Sequence, residues 1–313
     1  MHRYVLRRLL ATIPTLWLML TFVFFLVRIV PGDPAMAILG DSASAEALER
    51  FRQQMGLNDP LPVQYFRFLA DIARGNLGTS MVTGLPVKDQ LMRALPYTLE
   101  LTGAGVLIGV VLGVPLGLLS GLKQNSWLDY LIRAVSLAGL SVPAFVLAVV
   151  LMMVFSVQLG WFPVISSGSG ANLVEHLRQL FLPALTLGLI MTAYVARVTR
   201  SSFLNVFHHD YIRTARAKGV AEPRVVVKHA LKNALIPVIT MVGLYAGVLL
   251  GSSVMTEIVF NRPGLSGLIV GAMSRRDYTA LQSLLVVFAL LVVVINLITD
   301  LMYGLVDPRI RYD

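Results

Sequence analysis

Histidine is the side chain in this sequence best suited to metal binding or proton transfer, and its placement supports neither. His176 follows Glu175, and His208-His209 precede Asp210. A metal site needs several convergent ligands. No second ligand stands at helical spacing from His176, so these pairs read as solvated loop features. The chain carries no G-x-x-x-x-G-K-[ST] phosphate loop, no H-E-x-x-H pair and no G-x-S-x-G nucleophile turn. The expectation is a non-catalytic chain with no cofactor or metal of its own, driven by another chain.

Charges deep in an apolar segment would mark an ion or proton path, because their burial is costly. Arg28, Arg197 and Arg200 sit at segment ends, where long side chains reach water, and Arg133, about a turn inside, reads the same way. Asp300 lies near the end of the last apolar segment. Proton coupling through buried carboxylates is therefore disfavoured.

The elements that hold these residues are membrane helices. Of 313 residues, 56% are hydrophobic and 14% charged, against about a quarter charged in a soluble domain. The apolar residues form blocks of the roughly 20 residues that a membrane helix needs. Six spans are predicted: about Leu9 to Val30, Thr98 to Leu119, Tyr130 to Phe155, Leu180 to Val198, Leu235 to Thr256, and Leu281 to Tyr303. The fold class is thus an all-α polytopic membrane protein.

The net charge of +9 follows topology rather than nucleic acid, since Lys and Arg gather between the spans. Arg3, Arg7, Arg8, Lys123, the cluster from Arg197 to Lys232, and Arg309 and Arg311 fall on one side, which the positive-inside rule makes cytoplasmic. Both termini are expected there, with the first span uncleaved. The chain has no cysteine, so helix packing must hold it together. The predicted divisions are 1–30 for the N-terminus and first span, 31–96 for an external segment, 97–305 for a five-span core with a cytoplasmic loop at 201–233, and 306–313 for the tail. Within the external segment, Ser44 to Met55 and the stretch after Asp59-Pro60 read as short helices closed by Gly56 and Gly75.

The second span carries Gly105, Gly109, Gly113, Gly117 and Gly121, a ridge without side chains that admits another helix at close range. The fifth repeats the device with Gly243, Gly247 and Gly251. Packing inside the chain, a subunit interface and a moving contact all fit such a face. Pro14, Pro115, Pro143, Pro183 and Pro237 interrupt the spans, and each removes a backbone donor.

The loop 201–233 centres on Asp210 to Gly219. Asp210 is expected to cap a two-turn helix that ends at Lys218, with Gly219 as the C′ stop. A second helix is predicted from Pro223. Tyr211, Ile212 and Ala215 offer an apolar side that fits either a groove on another protein or the membrane surface.

Several motifs occur in a fixed order: Arg7-Arg8-Leu9 with Pro31-Gly32-Asp33-Pro34, Gly75-Asn76-Leu77-Gly78-Thr79-Ser80, Pro96-Tyr97-Thr98-Leu99-Glu100, Leu159-Gly160-Trp161-Phe162-Pro163, Tyr211 to Gly219, and Pro263-Gly264-Leu265. In that order they resemble the permease subunits of dipeptide and oligopeptide ABC importers, over nearly the whole chain. The resemblance implies a type I importer permease fold with a small external helical segment between the first two spans. It also implies the permease signature E-A-A-x-x-x-G in the cytoplasmic loop. Aligned on Gly219, Arg213 replaces the acidic residue, Thr214 the first Ala, and Ala215 matches. Tyr211, Ile212, Arg213, Thr214, Ala215 and Gly219 become the candidate coupling residues, without the acidic role. The later I-x-L-P falls on His229, Leu231 and Lys232, with Pro237 farther on.

The partners implied are a second related permease, two cytoplasmic ATPases that hold ATP and Mg, an extracytoplasmic substrate-binding protein and the bilayer, with no nucleic acid. Close relatives carry dipeptides, the first expectation here, or longer peptides, glutathione or a nickel chelate. Glu257, Asn261 and Arg275 are polar candidates for the outer mouth of the path, with loop and packing roles as the alternative. An ATP-independent channel and an intramembrane enzyme are the readings from other classes.

Overall fold

The structure is a computed structural model that describes residues 2–29, 34–40, 43–166 and 172–306. Pro31-Gly32-Asp33 and the tail from 307, with Arg309 and Arg311, lie outside the described residues, as do the side chains of Arg3 and Arg7. Among the described residues the regular elements are helical, apart from one isolated bridge between Thr79 and Pro86.

The helices are α1 (His2–Ile29), α2 (Pro34–Leu39), α3 (Ala45–Gln54), α4 (Leu61–Ala73), α5 (Val87–Leu122), α6 (Trp127–Ser141) and α7 (Ala144–Leu151). A π-helix, Met152–Gln158, continues α7. Then come α8 (Leu173–Phe207), α9 (Asp210–Ala217) and α10 (Glu222–Arg224), a second π-helix (Val225–Leu231), α11 (Lys232–Val259), α12 (Leu265–Ser274) and α13 (Tyr278–Val306). Among the described residues, five stretches are long and apolar enough to cross a membrane: Arg8–Ile29, Val87–Leu122, Leu173–Phe207, Glu222–Val259 and Tyr278–Leu301.

The pair α6 and α7 makes a sixth candidate, but it bends by 105°. The interruption expected at Pro143 in the span from Tyr130 to Phe155 is thus a full break rather than a kink. Proline pushes the residue before it out of the helical region, and Val142 is extended at φ −90°, ψ 125°. Pro143 then starts α7. Pro14, Pro115, Pro183 and Pro237 instead lie inside uninterrupted helices.

Chain contacts divide the protein into two compact units. The first comprises residues 1–8, 97–263 and 294–313. Its centre is α8, against which α6, α7 and α11 pack. Leu101, Leu187, Met191, Val195, Val238 and Leu249 form its main buried cluster. Asp300 pairs with Arg8 at 3.1 Å.

The second unit comprises residues 9–96 and 264–293. Val27, Val87, Leu91, Leu265, Leu281 and Leu284 form one core, and Val23, Phe24, Phe68 and Val286 another. The Ser44 hydroxyl caps α3 by accepting from the Ala47 amide at 3.2 Å. Gly75 follows α4 at φ 73°. Asp277 accepts from the Ser80 hydroxyl, from the Met81 amide at 3.1 Å and from the Ala280 amide at 3.1 Å. One buried carboxylate therefore caps α13 and fixes the turn that leads into α5. The helix α12 was not expected from the sequence, because ten residues are too few for a span.

Candidate functional site

The loop helix α9 is built as the sequence asks, with one shift. His209, not Asp210, is the N-cap residue, and its carbonyl accepts from the Ile212 amide at 3.0 Å. Asp210 is the first helical residue, where its charge still complements the helix dipole. Lys218 is the C-cap and Gly219 follows at φ 76°, a left-handed conformation that favours glycine.

The apolar side offered as a contact surface turns inward. Ile212 and Ala215 are buried with Phe203, Val225, Val226, Ala230 and Ala234 of the same chain. Tyr211, Arg213 and Thr214 stay exposed. The Tyr211 hydroxyl accepts from Asn233 at 2.8 Å. Arg216 reaches Glu222 at 2.6 Å and lies over the Phe207 ring at 4.4 Å. The second helix begins at Glu222, with Pro223 in its first turn, and runs without interruption into α11. It is thus not a separate element: α9 packs directly on the root of a membrane helix.

The glycine ridge of α5 faces α8. A Cβ on Gly105 would lie 2.9 Å from the Leu187 Cβ, on Gly109 2.1 Å from the Met191 Cγ, on Gly113 2.6 Å from the Val195 Cβ, and on Gly121 2.7 Å from a Phe203 ring carbon. At Gly117 it would lie 2.4 Å from the Ala196 carbonyl oxygen. In α11, Gly243 abuts Thr299, while nothing lies within 4 Å of a Cβ on Gly251.

A polar cluster occupies the far end of α11, around Arg262. Its guanidinium is fully enclosed and reaches Glu100 at 2.5 Å, the Ser166 hydroxyl at 3.1 Å and the Tyr97 carbonyl at 3.4 Å. Burial lowers its pKa, and the charges of Glu100 and Glu257 oppose that shift. Glu257 is buried and accepts from the Thr98 hydroxyl at 2.6 Å. The second oxygen of Glu100 meets His176, which is therefore an interacting residue and not the solvated loop histidine expected.

Of the three polar candidates for the path, Glu257 belongs to this cluster. Asn261 lies beside it in an exposed turn at φ 48°. Arg275 belongs to the other unit, exposed at the C-cap of α12. The sequence singled out neither Arg262 nor Thr98 nor Glu100 for chemistry. The available signal was Pro96 to Glu100 and Pro263 to Leu265, two quoted motifs that flank or supply these residues.

Replacing Arg262 with lysine keeps the charge but not the planar fork that serves three acceptors. The expected cost is about 1 to 2 kcal/mol, read as a lower thermal midpoint of the purified protein. An unchanged midpoint would show that the three contacts carry no stability.

A second buried pair lies among α5, α6 and α8. Asp129 is fully enclosed and takes two hydrogen bonds of 2.7 Å from Arg200, one of 2.5 Å from Ser120 and one of 3.0 Å from the Asn125 amide. This corrects the expectation that Arg200 snorkels: its side chain is 19% exposed and tied to a carboxylate.

Long helices packed around α8, with a short helix on the loop between two spans, make up the architecture that solved ABC transporter chains share. A chain of the MetNI methionine ABC transporter, in inward facing conformations, superimposes with a TM-score of 0.57 and 24% identity over 70% of this chain and 96% of that one. A chain of an amino acid ABC transporter with histidines gives 0.53 and 16%, over 69% and 94%.

The chain belongs to the family described as binding-protein-dependent transport system inner membrane component, which matches residues 113–312, with its N-terminal part matching 1–102. It is thus a multi-pass inner-membrane permease subunit of an ABC importer. The glutathione transport system permease proteins GsiC of Escherichia coli and Salmonella paratyphi A are 43% and 44% identical to it over 312 residues, covering all of both chains.

Proposed function

We propose that this subunit forms half of the pathway of an ATP-driven importer of short peptides, and that glutathione, itself a tripeptide, is the first substrate to test. The end-to-end similarity to glutathione permeases supports this reading. Dipeptides, the first expectation from sequence, are the comparison substrates. Its partners in this reading are a second permease, two cytoplasmic ATPases that bind ATP and Mg, and an external binding protein.

The exposed face of α9, with Tyr211, Arg213 and Thr214, meets the ATPase, while Ile212 and Ala215 key the helix into the root of α11. Closure of the ATPases then tilts α11 and exchanges inward-open for outward-open states. Driving such an exchange almost to completion takes about 5.5 kcal/mol of differential interaction, and α9 is the element placed to transmit it.

The test is uptake of labelled glutathione and of a labelled dipeptide by cells lacking the gene, complemented with the wild type or with Gly219→Val. The variant has room for its side chain, but the left-handed backbone costs about 1 to 2 kcal/mol. The expected result is glutathione uptake restored by the wild type and cut several-fold in the variant at equal membrane abundance. Restoration of dipeptide uptake alone would remove glutathione as substrate. Wild-type rates in the variant would remove the coupling role of α9.

A further inference from the structure

The first unit contains a cavity of about 440 Å³ between α6 and α8 that none of the roles above uses. Arg133, Arg197 and Arg200 line it, together with Ile132, Leu137 and Leu140. Arg200 is neutralised by Asp129, which is fully enclosed and adds no negative surface. Arg133 and Arg197 are exposed. Their guanidiniums lie over the Tyr130 ring at 5.7 Å and the Tyr194 ring at 5.4 Å. Neither makes an ion pair with a carboxylate among the described residues.

Depth and shape narrow the ligand. Trp127 and Tyr130 at the start of α6 are 75% and 56% exposed, as expected of aromatic residues at the level of lipid headgroups. Arg133 lies six residues beyond Trp127, about 9 Å along the helix, within reach of that level for a long side chain. The cavity therefore presents two unneutralised cations at the interface and an apolar wall beside them.

A free anion would leave that wall bare. A zwitterionic peptide would need an acceptor for its amino group, and the carboxylate nearby is already engaged by Arg200. We propose that this cavity binds an anionic phospholipid, with its phosphate between Arg133 and Arg197 and an acyl chain along Ile132, Leu137 and Leu140. Basic pockets between membrane helices suit such headgroups.

The test is native mass spectrometry of the full-length permease, purified with whatever subunits accompany it and titrated with cardiolipin, phosphatidylcholine or inorganic phosphate. Cardiolipin adducts are expected on the wild type and should weaken about 25-fold in Arg133→Ala/Arg197→Ala, taking about five-fold per lost arginine. The paired lysine variant should retain them. Leu137→Trp, which keeps both charges and fills the groove, should lose them. Phosphatidylcholine should bind all variants equally. Equal cardiolipin binding by the wild type and the alanine pair would overturn the proposal. So would displacement of the lipid by equimolar phosphate or glutathione, which would make the site one for a free anion or for substrate.

Discussion

Gly117→Val is expected to leave little folded permease in the membrane, whereas Gly251→Ala should leave its amount and thermal midpoint unchanged. Both glycines lie in membrane helices, so helix propensity does not separate them. Space does. The nearest atoms to an added carbon at Gly117 are the Ala196 carbonyl oxygen at 2.4 Å and the Thr199 Cβ at 2.6 Å, while Gly251 has nothing within 4 Å. Overpacking commonly costs about 1 to 3 kcal/mol when side chains can rearrange. A backbone carbonyl cannot rotate away, so α5 and α8 must separate along the contact that buries Leu187, Met191 and Val195. Gly109→Ala is the companion on the same ridge: the added carbon meets the Met191 Cβ at 2.4 Å as well as its Cγ, and a Cβ moves only with its backbone, so folded protein should be lost here too. The check is fluorescence-detected gel filtration after heating. A folded, wild-type-like Gly117→Val protein would show that the two helices are not held together in the cell.

Asp129→Ala should lower stability by about 3 kcal/mol, since removal of one member strands the other as a partly buried charge. The lower end of the usual range applies because Arg200 retains 19% exposure. Ser120 and the Asn125 amide lose their acceptor in the same step. Asp129→Ala combined with Arg200→Met should recover much of the loss, because no unpaired charge remains. Thermal midpoints of the two variants measure the difference. A single variant as stable as the wild type would mean that water already reaches the pair.

Membrane class, five of the six spans and the helices around Ser44, Pro60 and Asp210 were legible in the sequence because each rests on local chemistry: apolar length, caps, or a glycine stop. The break at Val142 was half legible. Pro143 marked it, but whether a proline ends a helix depends on whether neighbours satisfy the freed carbonyl. Pro183 inside α8 shows the other outcome.

The polar sites were hidden for a different reason. Asp129 and Arg200 are 71 positions apart, and Glu100 and Arg262 are 162 apart. Taken singly, each sits near a span end, where exposure is the ordinary fate of a charge. Only the fold makes them partners. The inward turn of Ile212 and Ala215 was likewise invisible, since an amphipathic pattern says that one side of a helix is covered and not by what.

From Glu222 to Val259 the chain forms one helical rod of 38 residues, seven of them π-helical, roughly 55 Å long. The loop helix α9 is keyed to one end, and the Thr98–Glu257 contact sits at the other. Tilting such a lever about its middle by about 5° would swing each tip by roughly 2 Å, enough to part a hydrogen bond. On the coupling proposed for α9, two locks at opposite tips of one beam would need no relay of side chains between them: what seats the first would set how the second rests.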